Sequence, residues 1–189
     1  MFFVENCFYW IGFHLVDYLL NQGYAVTGDD HIDTEGKEHL SMLIGRNENF
    51  VHLKEPRNAA DYDICFTPKE NTLKMYKNST STIKLPLLFG EWMPMEADGM
   101  YHRGTFIPFD SDRFLQEAVY IGDFLNTIQQ CIDATRLPRF LNVNAGQQKS
   151  SADIKLEDSV FIRNNRPIMS RLKAVQSHYK RFGEFYQCH

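Results

Sequence analysis

Nowhere in the 189 residues do apolar side chains continue for the roughly 20 positions that a membrane-spanning helix needs, so no membrane partner is expected. The N-terminus lacks the basic stretch, apolar stretch and small-residue cleavage site of a secretory leader, and the expectation is a cytoplasmic protein. Cysteine is sparse: Cys7, Cys65, Cys131 and Cys188 stand far apart and form no C-x-x-C pair. That spacing gives no support to zinc-ribbon or thioredoxin chemistry and predicts reduced thiols. The seven histidines show no H-E-x-x-H or other metal spacing, and no G-x-S-x-G announces a nucleophile. Charge of one sign is also missing. Twenty Lys and Arg against 24 Asp and Glu leave a net −4, which argues against nucleic acid or an anionic membrane as partner.

What is present is a composition able to build a core. The chain is 43% hydrophobic and 14% aromatic, with 15 Phe, at a length suited to one domain. Phe2-Phe3-Val4 reads as a short strand. Gly12 to Asn21 reads as a helix with Phe13, Val16, Leu19 and Leu20 at helical spacing, stopped by Gly23. Tyr24 to Gly28 is a second strand that runs into Asp29 and Asp30. Short connections of this kind predict a parallel, right-handed βαβ unit. Lys37 to Ile44 reads as a helix, and Phe50–Leu53 and Asp63–Phe66 as strands. Residues 1–67 thus make an α/β half-sheet.

Residues 68–84, rich in Lys, Asn, Ser and Thr, read as a polar linker with a weak helix near Leu73–Tyr76. In the remainder, 85–189, strands are expected at Leu85–Phe89, Phe106–Pro108, Ala118–Ile121 and Arg139–Val143, with a loop over Glu91–Arg103. Asp123 stands where it could cap a helix through Phe124, Leu125, Ile128 and Ile132. A last helix from about Ser170 carries an apolar stripe of Leu172, Val175, Tyr179 and Phe182. Its surroundings, Arg163, Arg166, Arg171, Lys173, Lys180 and Arg181, are locally basic. A docking helix with a solvated face explains that pattern more simply than an acidic partner does.

The loop between the first strand and first helix is Asn6-Cys7-Phe8-Tyr9-Trp10-Ile11-Gly12. In a G-x-x-G-x-x-G spacing ending at Gly12, Asn6 and Tyr9 stand at the first two glycine positions. Glycine serves there because the turn is tight and the backbone must approach a pyrophosphate. A thiol in such a loop, as at Cys7, gains reactivity if its pKa falls, whereas the flanking aromatics argue for burial.

Two runs carry a family resemblance: Trp10 through Leu20, and Gly23-Tyr24-Ala25-Val26-Thr27-Gly28-Asp29. With Leu85–Gly90, Ala118–Phe124 and Phe140–Val143, they resemble the extended short-chain dehydrogenases, the NAD-dependent epimerase/dehydratase family acting on nucleotide sugars. The resemblance implies an α/β fold: a shortened Rossmann-like parallel sheet with helices on both faces and a remnant of the substrate lobe. It implies a dinucleotide site at Ile11 and Gly12, with Asp29 or Asp30 on the ribose and NAD as the cofactor to test. Glu91, Trp92, His102 and Arg103 fall in the part that corresponds to the substrate lobe, where a sugar or phosphate would be met. The family's catalytic Tyr-x-x-x-Lys is absent, since none of the nine tyrosines has lysine four residues on. The expectation is therefore a non-catalytic relative with no catalytic residues, binding a nucleotide or nucleotide sugar weakly at most. The alternatives are a homo-oligomeric or partner-binding module without a ligand, and an oxidoreductase with replacement residues.

Overall fold

A computed structural model describes residues 1–53, 61–146, 159–162 and 167–186. Arg163, Arg166 and Cys188 lie outside the described residues. The chain divides into two compact units, Met1–Thr82 and Ile83–His189.

The first unit opens with β1 (Phe2–Glu5), α1 (Trp10–Asn21), β2 (Val26–Asp29), α2 (Glu35–Ile44), β3 (Phe50–His52) and β4 (Ile64–Pro68). It continues with β5 (Thr72–Lys77) and β6 (Ser79–Lys84), the latter running across the division between the units. The strand order is β6-β5-β4-β1-β2-β3. β1 pairs in parallel with β2 (Phe3 opposite Thr27) and with β4 (Phe3 opposite Cys65), and β3 extends the parallel run (Val51 opposite Thr27). The core order β3-β2-β1-β4 is that of a Rossmann-like half, in which the chain reverses its direction of travel across the sheet at β1/β4.

Local chemistry accounts for the helices. α1 buries Phe13, Val16, Leu19 and Leu20, one apolar stripe at 3.6-residue spacing. It ends where Gly23 takes φ +82° and its N–H bonds the Leu20 carbonyl, a backbone conformation open to glycine. α2 starts at Thr34, whose hydroxyl accepts from the Lys37 N–H, with Glu35 and Glu38 at the positive end of the helix dipole.

Segment 68–84, expected as a linker or weak helix, carries β5 and β6 instead. β5 lies antiparallel to β4 with Phe66 opposite Met75, and Leu73 and Met75 are fully buried while Lys74 and Tyr76 point outward. Its polarity is that of one solvent-facing side of a strand with a two-residue period. Asn78, between β5 and β6, takes φ +62°, which asparagine tolerates better than most residues.

The second unit contains β7 (Leu87–Phe89), β8 (Gly99–His102), β9 (Thr105–Pro108), α3 (Asp112–Glu117), β10 (Ala118–Tyr120), α4 (Ile121–Asp133), β11 (Phe140–Ala145), β12 (Ser159–Ile162) and α5 (Ile168–Phe182). β7 pairs in parallel with β10, and β11 with β12. The expected loop 91–103 holds β8, which forms an antiparallel hairpin with β9. Its two turn residues, Arg103 and Gly104, both have positive φ (+55° and +67°), the signature of a tight I′ hairpin turn. Asp123 is not the cap of α4. Tyr120 occupies that position, and Asp123 sits inside the first turn with its side chain buried. α5 buries Leu172 and Val175 and places Lys180 and Arg181 at its negative end. Among the described residues no helix is long and apolar enough to cross a membrane.

Candidate functional site

The loop from β1 to α1 keeps the backbone of a glycine-rich turn while carrying side chains. Asn6 takes φ +50°, a left-handed conformation that glycine adopts freely and asparagine best among the rest. Its amide donates to the Pro68 carbonyl at 3.2 Å, tying the loop to the end of β4. Gly12 is a contact glycine: a Cβ there would lie 2.1 Å from the Asn6 carbonyl oxygen. Ile11 is buried beside it, at 1% exposure, and packs as core. Tyr9 caps α1 with its backbone and is half-buried, and burial pushes its phenol up to about 12.

The two aspartates part company. Asp29 ends β2 opposite Glu5, and its carbonyl accepts from the Cys7 N–H. Asp30 turns its carboxylate onto the loop. Oδ2 accepts from the Phe8 N–H at 2.9 Å, and Oδ1 meets the Lys37 ammonium at 3.1 Å, with the Asp30 side chain only 5% exposed. Lys37 also reaches Asp33 at 3.0 Å and the His31 carbonyl at 3.1 Å. Burial lowers the Lys37 pKa, but hydrogen bonds to Asp33 and Asp30 outweigh it and the net shift is upward. Phe8 is fully buried, its ring edge-on to His52 at 4.8 Å and to Phe50 at 6.4 Å. Burial pushes the Cys7 thiol well up, helped by Asp30 and Asp29, which disfavours a reactive thiolate.

In the second unit, Lys84, His102, Arg103 and Arg113 border a pocket of about 280 Å³. Gln116 and Asn144 add amides to its wall, and Glu117 is the single carboxylate in the lining. Glu117 meets Arg113 at 3.5 Å along one turn of α3. The I′ turn presents Arg103 from the hairpin, α3 presents Arg113, and the end of β6 presents Lys84. Of the residues expected from the resemblance, His102 and Arg103 line this pocket, whereas Glu91 and Trp92 do not.

Glu91 and Trp92 belong to another cluster. The Tyr120 hydroxyl donates to the Glu91 carboxylate at 3.1 Å, and the Arg171 guanidinium lies 4.5 Å above the Tyr120 ring and 3.7 Å from Asp123. Trp92 packs against His178, Phe182 and Tyr186, an aromatic cluster in which Trp92 and Tyr186 are buried and the other two rings half-buried. Burial, then the Glu91 charge, pushes Tyr120 up to about 12. Tyr9 and Tyr186 are also shifted upward by burial, and Tyr101 by its bond to Glu96. A catalytic tyrosine beside lysine needs the opposite shift.

Sequence reasoning did not single out Lys84, Arg113 or the Asp30–Lys37 pair. The spacing of Arg113 and Glu117 marks one helix face, but only the fold brings that face to the His102-Arg103-Gly104 turn. Among the described residues no group of three His, Cys, Asp or Glu is placed to hold a metal. No protein-family model, curated protein or solved structure matches the chain. What the fold itself defines is a mixed α/β protein with a mostly parallel, Rossmann-like sheet.

Proposed function

We propose that the protein is a non-catalytic relative of the NAD-dependent epimerases and dehydratases that binds a phosphate-bearing ligand of the nucleotide-sugar type in its second unit. The observation that carries this reading is the pocket whose lining sets Lys84, His102, Arg103 and Arg113 against one carboxylate. Clustered cations supply the field and the donors that phosphate oxygens require, and Arg adds a forked geometry. The Gln116 and Asn144 amides offer the neutral hydrogen bonds that sugar hydroxyls use. The volume lies just under the roughly 300–1,000 Å³ of typical small-molecule sites, which suits a sugar phosphate or part of a nucleoside diphosphate. The missing Tyr-x-x-x-Lys and the upward tyrosine shifts support binding without catalysis.

Calorimetric titration with UDP, UDP-glucose and inorganic phosphate tests the reading. The expected result is saturable binding that weakens at least tenfold in Arg103→Ala and Arg113→Ala, a loss of about 1.4 kcal/mol. Binding unchanged in both variants, or no binding at millimolar ligand, would sink it. A second reading, self-association, is favoured by β3: it ends the first unit's strand order, and its Val51 is 54% exposed. Among the described residues no strand pairs with its outer edge, and an edge of that kind with an apolar side chain invites pairing. Light scattering should then show a dimer that Val51→Lys disperses, and a concentration-independent monomer rules that reading out.

A further inference from the structure

We infer that the dinucleotide crevice of the first unit is filled by the chain itself, with Phe8 as its internal occupant, so that this unit takes no NAD. In open parallel sheets, ligands bind in the crevice beyond the carboxyl ends of the strands. Here Phe8 holds that place. Its N–H bonds the carboxylate of Asp30, the residue after β2, and its ring lies against His52, the last residue of β3. The ring is entirely buried.

Three features of the residues present fail the fit to NAD. The carboxylate that would receive ribose hydroxyls has one oxygen on the Phe8 N–H and the other on Lys37, and the side chain is 5% exposed. The helix start that would receive the pyrophosphate is capped by Tyr9, a half-buried phenol at the position where close backbone approach calls for glycine. The strand ends are also tied to one another around Phe8. Asn6 bonds Pro68, and the His52 ring nitrogen lies 3.0 Å from the Asp30 carbonyl oxygen. Opening the crevice would therefore expose a phenylalanine and strip the buried Asp30 carboxylate of its bond from the Phe8 N–H. A cofactor would have to offset both costs before gaining any affinity. The same contacts let the unit complete its packing with no ligand bound.

The test uses the whole protein, labelled for amide NMR, with NAD and ADP-ribose as probes. Without ligand, the Phe8 amide should exchange at least about a hundredfold more slowly than in a free peptide, since it is bonded to a buried carboxylate. Millimolar NAD should leave the amides of Phe8, Gly12 and Asp30 unshifted. Shifts confined to His102, Arg103 and Arg113 would place a dinucleotide in the second unit's pocket and support closure of the first. Two results overturn the inference: an unprotected Phe8 amide, or saturable NAD shifts at Phe8, Gly12 and Asp30 that Asp30→Asn abolishes. Because the two sites report through different amides, failure of UDP binding in the second unit and failure of this inference are read separately.

Discussion

Asn6 and Gly12 meet at close range across the β1–α1 loop, and each is chosen by backbone geometry. Asn6 supplies a positive φ that a β-branched residue would resist, and Gly12 leaves room for the Asn6 carbonyl. The Gly12 contact is with backbone, which cannot swing aside as a side-chain tip can. Gly12→Ala should therefore destabilise by about 3 kcal/mol, at the upper end of ordinary overpacking, as read from urea midpoints. Asn6→Gly should cost less in the same assay, about 1 kcal/mol, because glycine takes the same φ and only the bond to Pro68 is lost. A mild Gly12→Ala would mean that α1 can slide away from the loop. Tyr120 gives a prediction in pH. Its folded pKa is raised to about 12 from an ordinary 10, so the folded state holds the proton more tightly. The stability this contributes is complete below pH 10 and is lost as pH rises towards 12, on the order of 2 kcal/mol. The stability gap between wild type and Tyr120→Phe should accordingly narrow over that window, and a constant gap would show that burial and Glu91 do not hold the proton.

The elements differ in how openly the sequence displays them. β1, α1, β2, α2, β3 and β4 each carry an apolar signature of their own, and their expected places agree with the structure to within two or three residues. β5 and β6 do not. Their buried set is Leu73 and Met75 on β5 and Ser81 and Ile83 on β6, two pairs each spaced by two among lysines, serines and threonines, and so thin a stripe is easily taken for a linker. What makes β5 a strand is β4, whose edge it covers, and that partner is remote from any local window. The same limit applies to the pocket. His102 and Arg103 stand where the resemblance implies a substrate lobe, but Lys84 and Arg113 join them only through a hairpin and a short helix. Phe8 reads as core from its neighbours, while its placement over the strand ends depends on the Asp30 bond. If Met75 is a true core position of a strand, Met75→Ala should cost about 2–4 kcal/mol. An exposed linker methionine would cost almost nothing, so denaturation of this one variant decides between strand and linker.

At the scale of the whole molecule, the two units differ in how far their charges are exposed, and this sets how the protein should answer to ligand and salt. In the first unit the buried Asp30 carboxylate is paired with the half-buried Lys37. In the second, Lys84, Arg103 and Arg113 are exposed around the pocket and held at the surface. A nucleoside diphosphate that binds only the folded second unit stabilises it by mass action, about 2.7 kcal/mol at a hundredfold excess over Kd. For a chain of this length that corresponds to a rise of roughly 5–10 °C in Tm. Exposed cations are screened once the Debye length shrinks to about 3 Å near 1 M salt, so the rise should collapse at high ionic strength. NAD should produce no rise through the first unit at any salt. Hydrogen exchange with bound UDP should show the added protection around Arg103 and Arg113, with the amides of Phe8 and Gly12 unchanged. A salt-resistant rise would mean that the ligand is held by buried apolar contacts rather than by these cations. A rise accompanied by protection in the first unit would move the binding site to the crevice that Phe8 fills.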